Sequence, residues 1–130
     1  VHQYMNGVDT YGFDPSLDLY GGGGIAAPIA ELGGFLTALM GGRVFEQRAT
    51  LDTMLAIRST GFLDGYGMGM FRVNFGGVRG YGHSGFWGTV AVHFPSEELT
   101  IAVAVNEQSQ GGAIFGILGA TLRAVGPLVK

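Results

Sequence analysis

Three adjacent residues with different chemistry, His83, Ser84 and Gly85, are the strongest candidates for a functional site. An imidazole can carry a proton, a hydroxyl can bind a substrate oxygen, and a residue without a side chain lets a ligand approach the backbone. Side chains alternate along a strand, so within a strand His83 and Ser84 point in opposite directions. They therefore cannot form a nucleophile–base pair with each other. The stretch predicts one wall of a substrate site.

Other polar clusters give weaker signals. The spacing of Asp9, Asp14 and Asp18 matches no calcium-binding loop, which favours solvated carboxylates. The four glycines at 21–24 lack the G-K-[ST] ending of a phosphate loop, so we expect a tight turn there. His93 stands among apolar strand residues, which favours a packed histidine. We predict no metal and no cofactor.

The composition bounds the class of protein. A chain of 130 residues, 47% of them hydrophobic, is expected to form one domain over 1–130. The net charge is −3 with scattered basic residues, so no nucleic-acid partner is predicted. Cysteine is absent, and no apolar run reaches the length of a membrane span. The start at Val1, with no signal-peptide pattern, suggests a processed product or part of a longer protein.

The periodicity of apolar residues predicts the elements that position these groups. We expect a loop-like lead over 1–24, a helical region over 25–60, antiparallel strands over 66–106 and a C-terminal helix within 111–127. The expected helices cover 27–40 and 47–55, and the expected strands cover 66–74, 78–83, 87–94 and 99–106. Residues 83–86, called the His83 stretch below, would then form a glycine-hinged entry to the third strand. The predicted fold is α+β: an antiparallel sheet of three to four strands packed against helices.

Small residues indicate where backbones come close together. Gly33 and Gly34 weaken the first helix, which suggests that they allow a close packing contact. In the last strand Ala102 and Ala104 share one face, and we expect the C-terminal helix to cover that small-residue face.

The order of these features resembles the C-terminal part of the serine β-lactamase and penicillin-binding-protein-like superfamily, nearest the class C β-lactamase, DD-peptidase and esterase branch. The similar segments are Y-G-G-G-G-I at 20–25, L-T-A-L-M-G-G at 36–42, Y-G-M-G-M at 66–70, Y-G-H-S-G at 81–85 and V-N at 105–106. The resemblance implies a partial β-lactamase/transpeptidase-like fold and a bacterial parent enzyme that cleaves an amide, lactam or ester through an acyl-enzyme. It also implies a periplasmic or secreted location.

The resemblance assigns roles to the candidate residues. His83-Ser84-Gly85 is similar to the third family motif, K-T-G or H-x-G. Ser84 would hold a substrate carboxylate or carbonyl, and His83 would contribute polarity or charge. The backbone N–H of Phe86 would be an oxyanion-hole donor. Trp87 is equally compatible with the core and with a pocket lining.

Two residues near the N-terminus, Tyr4 and Asn6, have the letters of the second family motif, Y-x-N. In the family a long helical region separates that motif from the glycine-rich turn, whereas here the gap is about fifteen residues. The alternative is that they belong to an ordinary loop.

The family nucleophile is missing from the sequence. No serine is followed three residues later by lysine, and Lys130 is the single lysine, so no catalytic residue is assigned here. Two functions remain open: the substrate-gripping C-terminal segment of a serine hydrolase, inactive alone, or a non-catalytic binding or assembly module that retains the fold. In the family, N-terminal strands pair beside the final strand, so 99–106 should have an unpaired edge. Such an edge predicts self-association.

Overall fold

The structure, a computed structural model, describes residues 1–18, 23–59 and 64–128. Its strands are β1 Tyr4–Met5, β2 Val8–Asp9, β3 Phe71–Phe75, β4 Val78–Gly85, β5 Thr89–Phe94 and β6 Leu99–Ala104, and its helices are α1 Ile29–Met40, α2 Arg48–Met54 and α3 Ala113–Val125. Short 3-10 turns cover Pro15–Asp18, Pro95–Glu97, Gln108–Gln110 and Gly126–Leu128. The first part of the predicted glycine-rich turn, residues 21–22, lies outside the described residues. None of the helices in the described ranges is long and apolar enough to cross a membrane.

The four long strands form one antiparallel sheet in the order β3-β4-β5-β6. This confirms the predicted α+β fold, with helices on both faces of the sheet. On one face, β5 and β6 contribute buried Val90, Val92, Phe94 and Ile101. The stripe of α3 packs there through Ile114, Leu118 and Leu122. Removing these side chains from water is the main stabilising contribution on this face.

The opposite face of the sheet is covered by α1 and α2. Leu36 and Leu39 of α1 and Leu51 of α2 pack with Ala91 and Ala102 of the sheet. The prediction that the C-terminal helix covers the small-residue face was therefore wrong.

Gly33 is the glycine of α1 that faces the sheet. A Cβ at Gly33 would lie 3.7 Å from the Ala102 Cβ, so α1 reaches the sheet at van der Waals distance. Of the two α1 glycines, Gly33 faces the sheet at ordinary van der Waals spacing, which leaves room for a Cβ, and a Cβ at Gly34 would meet no atom within 4 Å. Pro28 stays extended, with ψ 143°, so α1 begins two residues later than predicted.

The boundary predicted between the middle strands was wrong. The strand β4 continues through Gly85, and β5 begins only at Thr89, so the His83 stretch ends a strand and does not lead into one. The strand was predicted only over 78–83, because glycines have low strand propensity and obscured its end at Gly85. They are required here: a Cβ at Gly80 would lie 2.5 Å from Val92 Cγ1, and one at Gly82 would overlap the carbonyl oxygen of Ala91.

The predicted loop at the N-terminus contains a hairpin, β1–β2. Its turn residues Asn6 and Gly7 have φ of 53° and 76°, which is the geometry of a type I′ turn. Asn-Gly is the strongest short hairpin signal in a sequence, so this element could have been predicted.

Candidate functional site

The His83 stretch lies at the end of β4, where a three-residue loop, Phe86-Trp87-Gly88, connects β4 to β5. The loop closes through a hydrogen bond from the Gly88 N–H to the Gly85 carbonyl, 3.2 Å. Gly88 has φ 84°, and a Cβ there would lie 2.5 Å from Val105 Cγ2. Glycine is therefore required at this position, and it fixes the direction in which the loop leaves the sheet.

The ring of His83 is held at both nitrogens and on one face. Its Nδ1 lies 2.7 Å from the Ser84 carbonyl oxygen, and its Nε2 lies 2.8 Å from the Tyr66 hydroxyl. The ring of Phe71 stacks on it, with centroids 5.5 Å apart and planes 27° apart. His83 is thus tied to the protein although its side chain is exposed.

Ser84 differs from His83 in the hydrogen bonding of its side chain. Its side chain is half-buried, and its hydroxyl makes no hydrogen bond to another described residue. Gly85 is exposed, and Phe86 is 64% exposed beside it, with its ring edge-on to Trp87 at 5.2 Å. The stretch therefore presents a hydroxyl, bare backbone and an apolar ring that a ligand could contact.

The hairpin that carries Tyr4 and Asn6 docks at the same end of the sheet. The Tyr4 N–H donates to the Asn106 carbonyl at 2.7 Å, and the Gln3 side-chain amide lies 3.4 Å from the Trp87 carbonyl. Asn6 occupies the first turn position of the hairpin, which by itself accounts for an asparagine there. A substrate-binding role for Tyr4 and Asn6 stays a prediction.

Glu107 fastens this hairpin to the sheet. Its carboxylate accepts hydrogen bonds from the N–H groups of Asn6 and Gly7, each 2.9 Å, and from the N–H and hydroxyl of Ser109. These bonds, the one from Gly7 foremost, hold the pKa of Glu107 below its ordinary value of 4.5, because they stabilise the charged form.

Acidification is expected to release the hairpin. A lowered carboxyl pKa contributes stability that is fully present above the ordinary value and is lost as the pH falls through the lowered pKa. Amide hydrogen exchange at Asn6 and Gly7, corrected for intrinsic rates, should therefore accelerate below pH 4.5. Glu107→Gln should accelerate it already at neutral pH. The amide of Val90, in the core, serves as the reference; equal protection of all three amides in Glu107→Gln would contradict the role of Glu107.

The other candidate residues have structural partners. His93 Nδ1 lies 2.8 Å from Thr100 Oγ1, and burial lowers the pKa of His93. Asp9 Oδ2 lies 2.6 Å from His2 Nδ1, and this bond is the main cause of a lowered Asp9 pKa. Asp14 accepts from the Ser16 N–H. The described residues contain no group of three or more acidic or histidine side chains that could hold a metal ion.

Two cavities lie away from the His83 stretch. One of about 530 Å³ borders α2 and includes Phe45, Met54 and Met68 in its lining. The other, of about 630 Å³, lies between the β3–β4 turn and the C-terminal end of α3, where Glu97 and Arg123 contribute to the lining. Residues 83–86 line neither cavity.

Sequence analysis missed two residues that organise the site, Tyr66 and Glu107. Tyr66 stands between two glycines in a segment predicted as strand, and Glu107 follows the last predicted strand. Their partners are 17 and 100 or more residues away along the chain. Only the Gly-Tyr-Gly pattern at 65–67 could have marked Tyr66 as a residue in a tightly constrained backbone.

The α+β fold is consistent with a partial β-lactamase-like fold. The sequence model of the family described as Beta-lactamase matches residues 2–115. The chain therefore belongs to the Beta-lactamase family, which supports a fragment related to the serine hydrolases. No significant match to a curated protein or to a solved structure was found.

Proposed function

We propose that this chain is the substrate-binding, C-terminal segment of a serine hydrolase of the branch that contains class C β-lactamases, DD-peptidases and esterases. The parent enzyme would cleave an amide, lactam or ester through an acyl-enzyme. The observation that carries the proposal is the Ser84 hydroxyl, half-buried at the end of β4 and without a partner among the described residues. Family membership supports the hydrolase class.

Ser84, Gly85 and Phe86 contact different parts of the substrate. The Ser84 hydroxyl donates to a carbonyl or carboxylate oxygen of the substrate, and Gly85 lets the substrate lie along the backbone. The N–H of Phe86 faces the developing oxyanion, a contribution of roughly 3 kcal/mol to the transition state once a nucleophile attacks. The exposed Phe86 ring adds apolar contact area. The attacking serine and its lysine come from outside this chain, because its sequence has no S-x-x-K motif.

The isolated chain is expected to hydrolyse neither a chromogenic cephalosporin nor a nitrophenyl ester above the buffer rate. Without a nucleophile, an oxyanion donor has no charge to stabilise. A complete serine β-lactamase assayed in parallel shows that the substrates are competent. Turnover by this chain above the buffer rate would refute the missing-nucleophile account, whether or not Ser84→Ala abolishes it.

The alternative is a non-catalytic binding or assembly module. Sequencing of the coding region upstream of Val1 distinguishes it from this proposal. The coding sequence upstream of Val1 either contains an S-x-x-K on a predicted helix or it does not. Its presence supports the hydrolase, and its absence supports the module.

We also propose that the chain self-associates through β6. Within the described ranges β6 pairs with β5 alone, and its other edge pairs with no strand along Leu99–Ala104. An unpaired edge is a template for adding a strand from a second copy.

Dimerisation is expected to appear as a rise of the mass-average molar mass with concentration in sedimentation equilibrium. Ala104→Lys places a charge at the exposed end of β6 and should weaken association by up to roughly fivefold, the range of a like-charge cross-strand pair. The matched control is Ala120→Lys, on the exposed face of α3, which should leave the association constant unchanged. A monomer at all concentrations would exclude the proposed edge pairing.

A further inference from the structure

The Tyr66 hydroxyl lies 2.8 Å from His83 Nε2 and occupies that nitrogen, so a ligand at the His83 stretch cannot bind to it. We infer that Tyr66 is a positioning residue. Together with the Ser84 carbonyl it fixes the tautomer of the neutral His83 ring, with the proton on Nδ1, so that the Ser84 hydroxyl, and not the imidazole, faces the acyl substrate. The role given to Ser84 rests on the proposed function, whereas the state of the ring does not.

The partners of the ring decide where its proton lies. A carbonyl oxygen only accepts hydrogen bonds, so Nδ1, 2.7 Å from the Ser84 oxygen, is the donor and carries hydrogen. In a neutral imidazole the other nitrogen is then an acceptor, so Nε2 accepts from the Tyr66 hydroxyl. Both nitrogens are occupied inside the protein. The ring therefore has no free nitrogen to act as a base on a ligand.

Phe71 prevents the ring from exchanging its partners. It is 1% exposed, its ring stacks on His83, and it also packs against Phe115 with centroids 6.1 Å apart. A flip of the imidazole would have to displace a core side chain, and close-packed interiors resist such movement.

The backbone of Tyr66 is held as firmly as its hydroxyl. Its N–H and carbonyl exchange hydrogen bonds of 2.9 and 3.0 Å with Arg58. A Cβ at Gly65 would lie 2.7 Å from the Arg58 carbonyl oxygen, and one at Gly67 would lie 2.5 Å from the Met54 carbonyl oxygen. Both flanking residues must therefore be glycine for the chain to pass between the end of α2 and the sheet. This requirement explains the Gly-Tyr-Gly pattern as a device that presents the Tyr66 hydroxyl to His83.

The tautomer can be read in the unmodified protein. In long-range ¹H–¹⁵N correlation spectra at mildly alkaline pH, where histidine rings are neutral, His83 should show a pyrrole-type Nδ1 and a pyridine-type Nε2. A pyrrole-type Nε2 as the major form would overturn the inference. The spectrum does not depend on turnover, so an inactive parent enzyme would contradict the proposed function and leave this inference standing.

A chemical probe tests the part that Tyr66 plays. Diethyl pyrocarbonate acylates an unprotonated histidine nitrogen, and Nε2 of His83 is shielded by the Tyr66 hydroxyl. In Tyr66→Phe, acylation of His83 followed by peptide mapping should accelerate roughly two- to twelvefold, the factor that one neutral hydrogen bond represents. Exposed His2 is the reference in the same molecule.

The matched control is Tyr81→Phe, which removes a hydroxyl from the same strand as His83. The Tyr81 hydroxyl makes no hydrogen bond to a described residue, so the His83 rate should not change. An unchanged rate in Tyr66→Phe, or an equal rise in both variants, would overturn the inference. If Tyr66→Phe does not fold, the spectrum of the unmodified protein decides alone.

Discussion

Gly82→Ala is expected to lower the free energy of unfolding by about 3 kcal/mol or more. The added Cβ would overlap the carbonyl oxygen of Ala91 and come within 2.8 Å of the Val92 Cα. Both obstacles are backbone atoms of the paired strand β5, so no side-chain rotation relieves the contact. The strands would have to separate in the middle of the sheet, at the position that precedes His83. Urea denaturation followed by circular dichroism measures the loss.

The control for this prediction lies three residues further along β4. A Cβ at Gly85 would meet its nearest neighbour, the Thr89 Cβ, at 3.9 Å, which is ordinary van der Waals contact. Gly85→Ala should therefore change the free energy of unfolding by less than about 1 kcal/mol, the difference in propensity alone. If the two variants were equally stable, the close approach of β4 and β5 at Gly82 would be refuted.

Phe71→Ala is expected to cost about 3–5 kcal/mol of unfolding free energy, the range for removing a fully buried aromatic ring. The ring is 1% exposed and belongs to the core between the sheet and α3. The same substitution removes the surface on which His83 stacks, so the ring nitrogen signals of His83 should broaden or shift in any folded fraction.

Phe86→Ala provides the comparison, because it deletes the same side chain from an exposed position. Phe86 is 64% exposed, and its ring contacts the ring of Trp87. Its removal should change the unfolding free energy by no more than about 0.5 kcal/mol. Equal losses in Phe71→Ala and Phe86→Ala would show that Phe71 is not part of the core.

The helices and the sheet were predictable because their apolar residues repeat with a clear period. The apolar stripe of Ile114, Leu118 and Leu122 predicted α3. The alternation of apolar residues predicted β5 and β6. The course of β4 was not predictable in the same way. Its glycines carry no period and have low strand propensity. They are needed because the side chains of Val92 and Phe94 come close to the β4 backbone, and this contact exists only after the strands pair. The side of the sheet covered by each helix was likewise decided by tertiary contacts.

The candidate site was predictable in part. The H-S-G letters predicted a substrate-facing wall at the entry to a strand, whereas the structure places them at the end of β4. The match of the family model supports the family, and the substrate-facing role stays a prediction. The partners of His83 could not be found from local sequence, because hydrogen bonds from Tyr66 and stacking by Phe71 join segments that are distant along the chain. Glu107 illustrates the same limit of local patterns. Its carboxylate meets the donor N–H groups of Asn6 and Gly7 only when the N-terminal hairpin docks.

The direction of β4 has a practical consequence. The strand runs from Val78, beside the Gly76-Gly77 turn, to Gly85, and eight residues at about 3.3 Å per step separate its ends by roughly 23 Å. Arg79 is exposed near the far end, and the chain contains no cysteine. Arg79→Cys would thus create a single thiol for a fluorophore or a solid support, attached well away from the face on which acyl compounds are expected to bind. Immobilised in this way, the protein could be screened against small esters and amides with the proposed binding surface left uncovered.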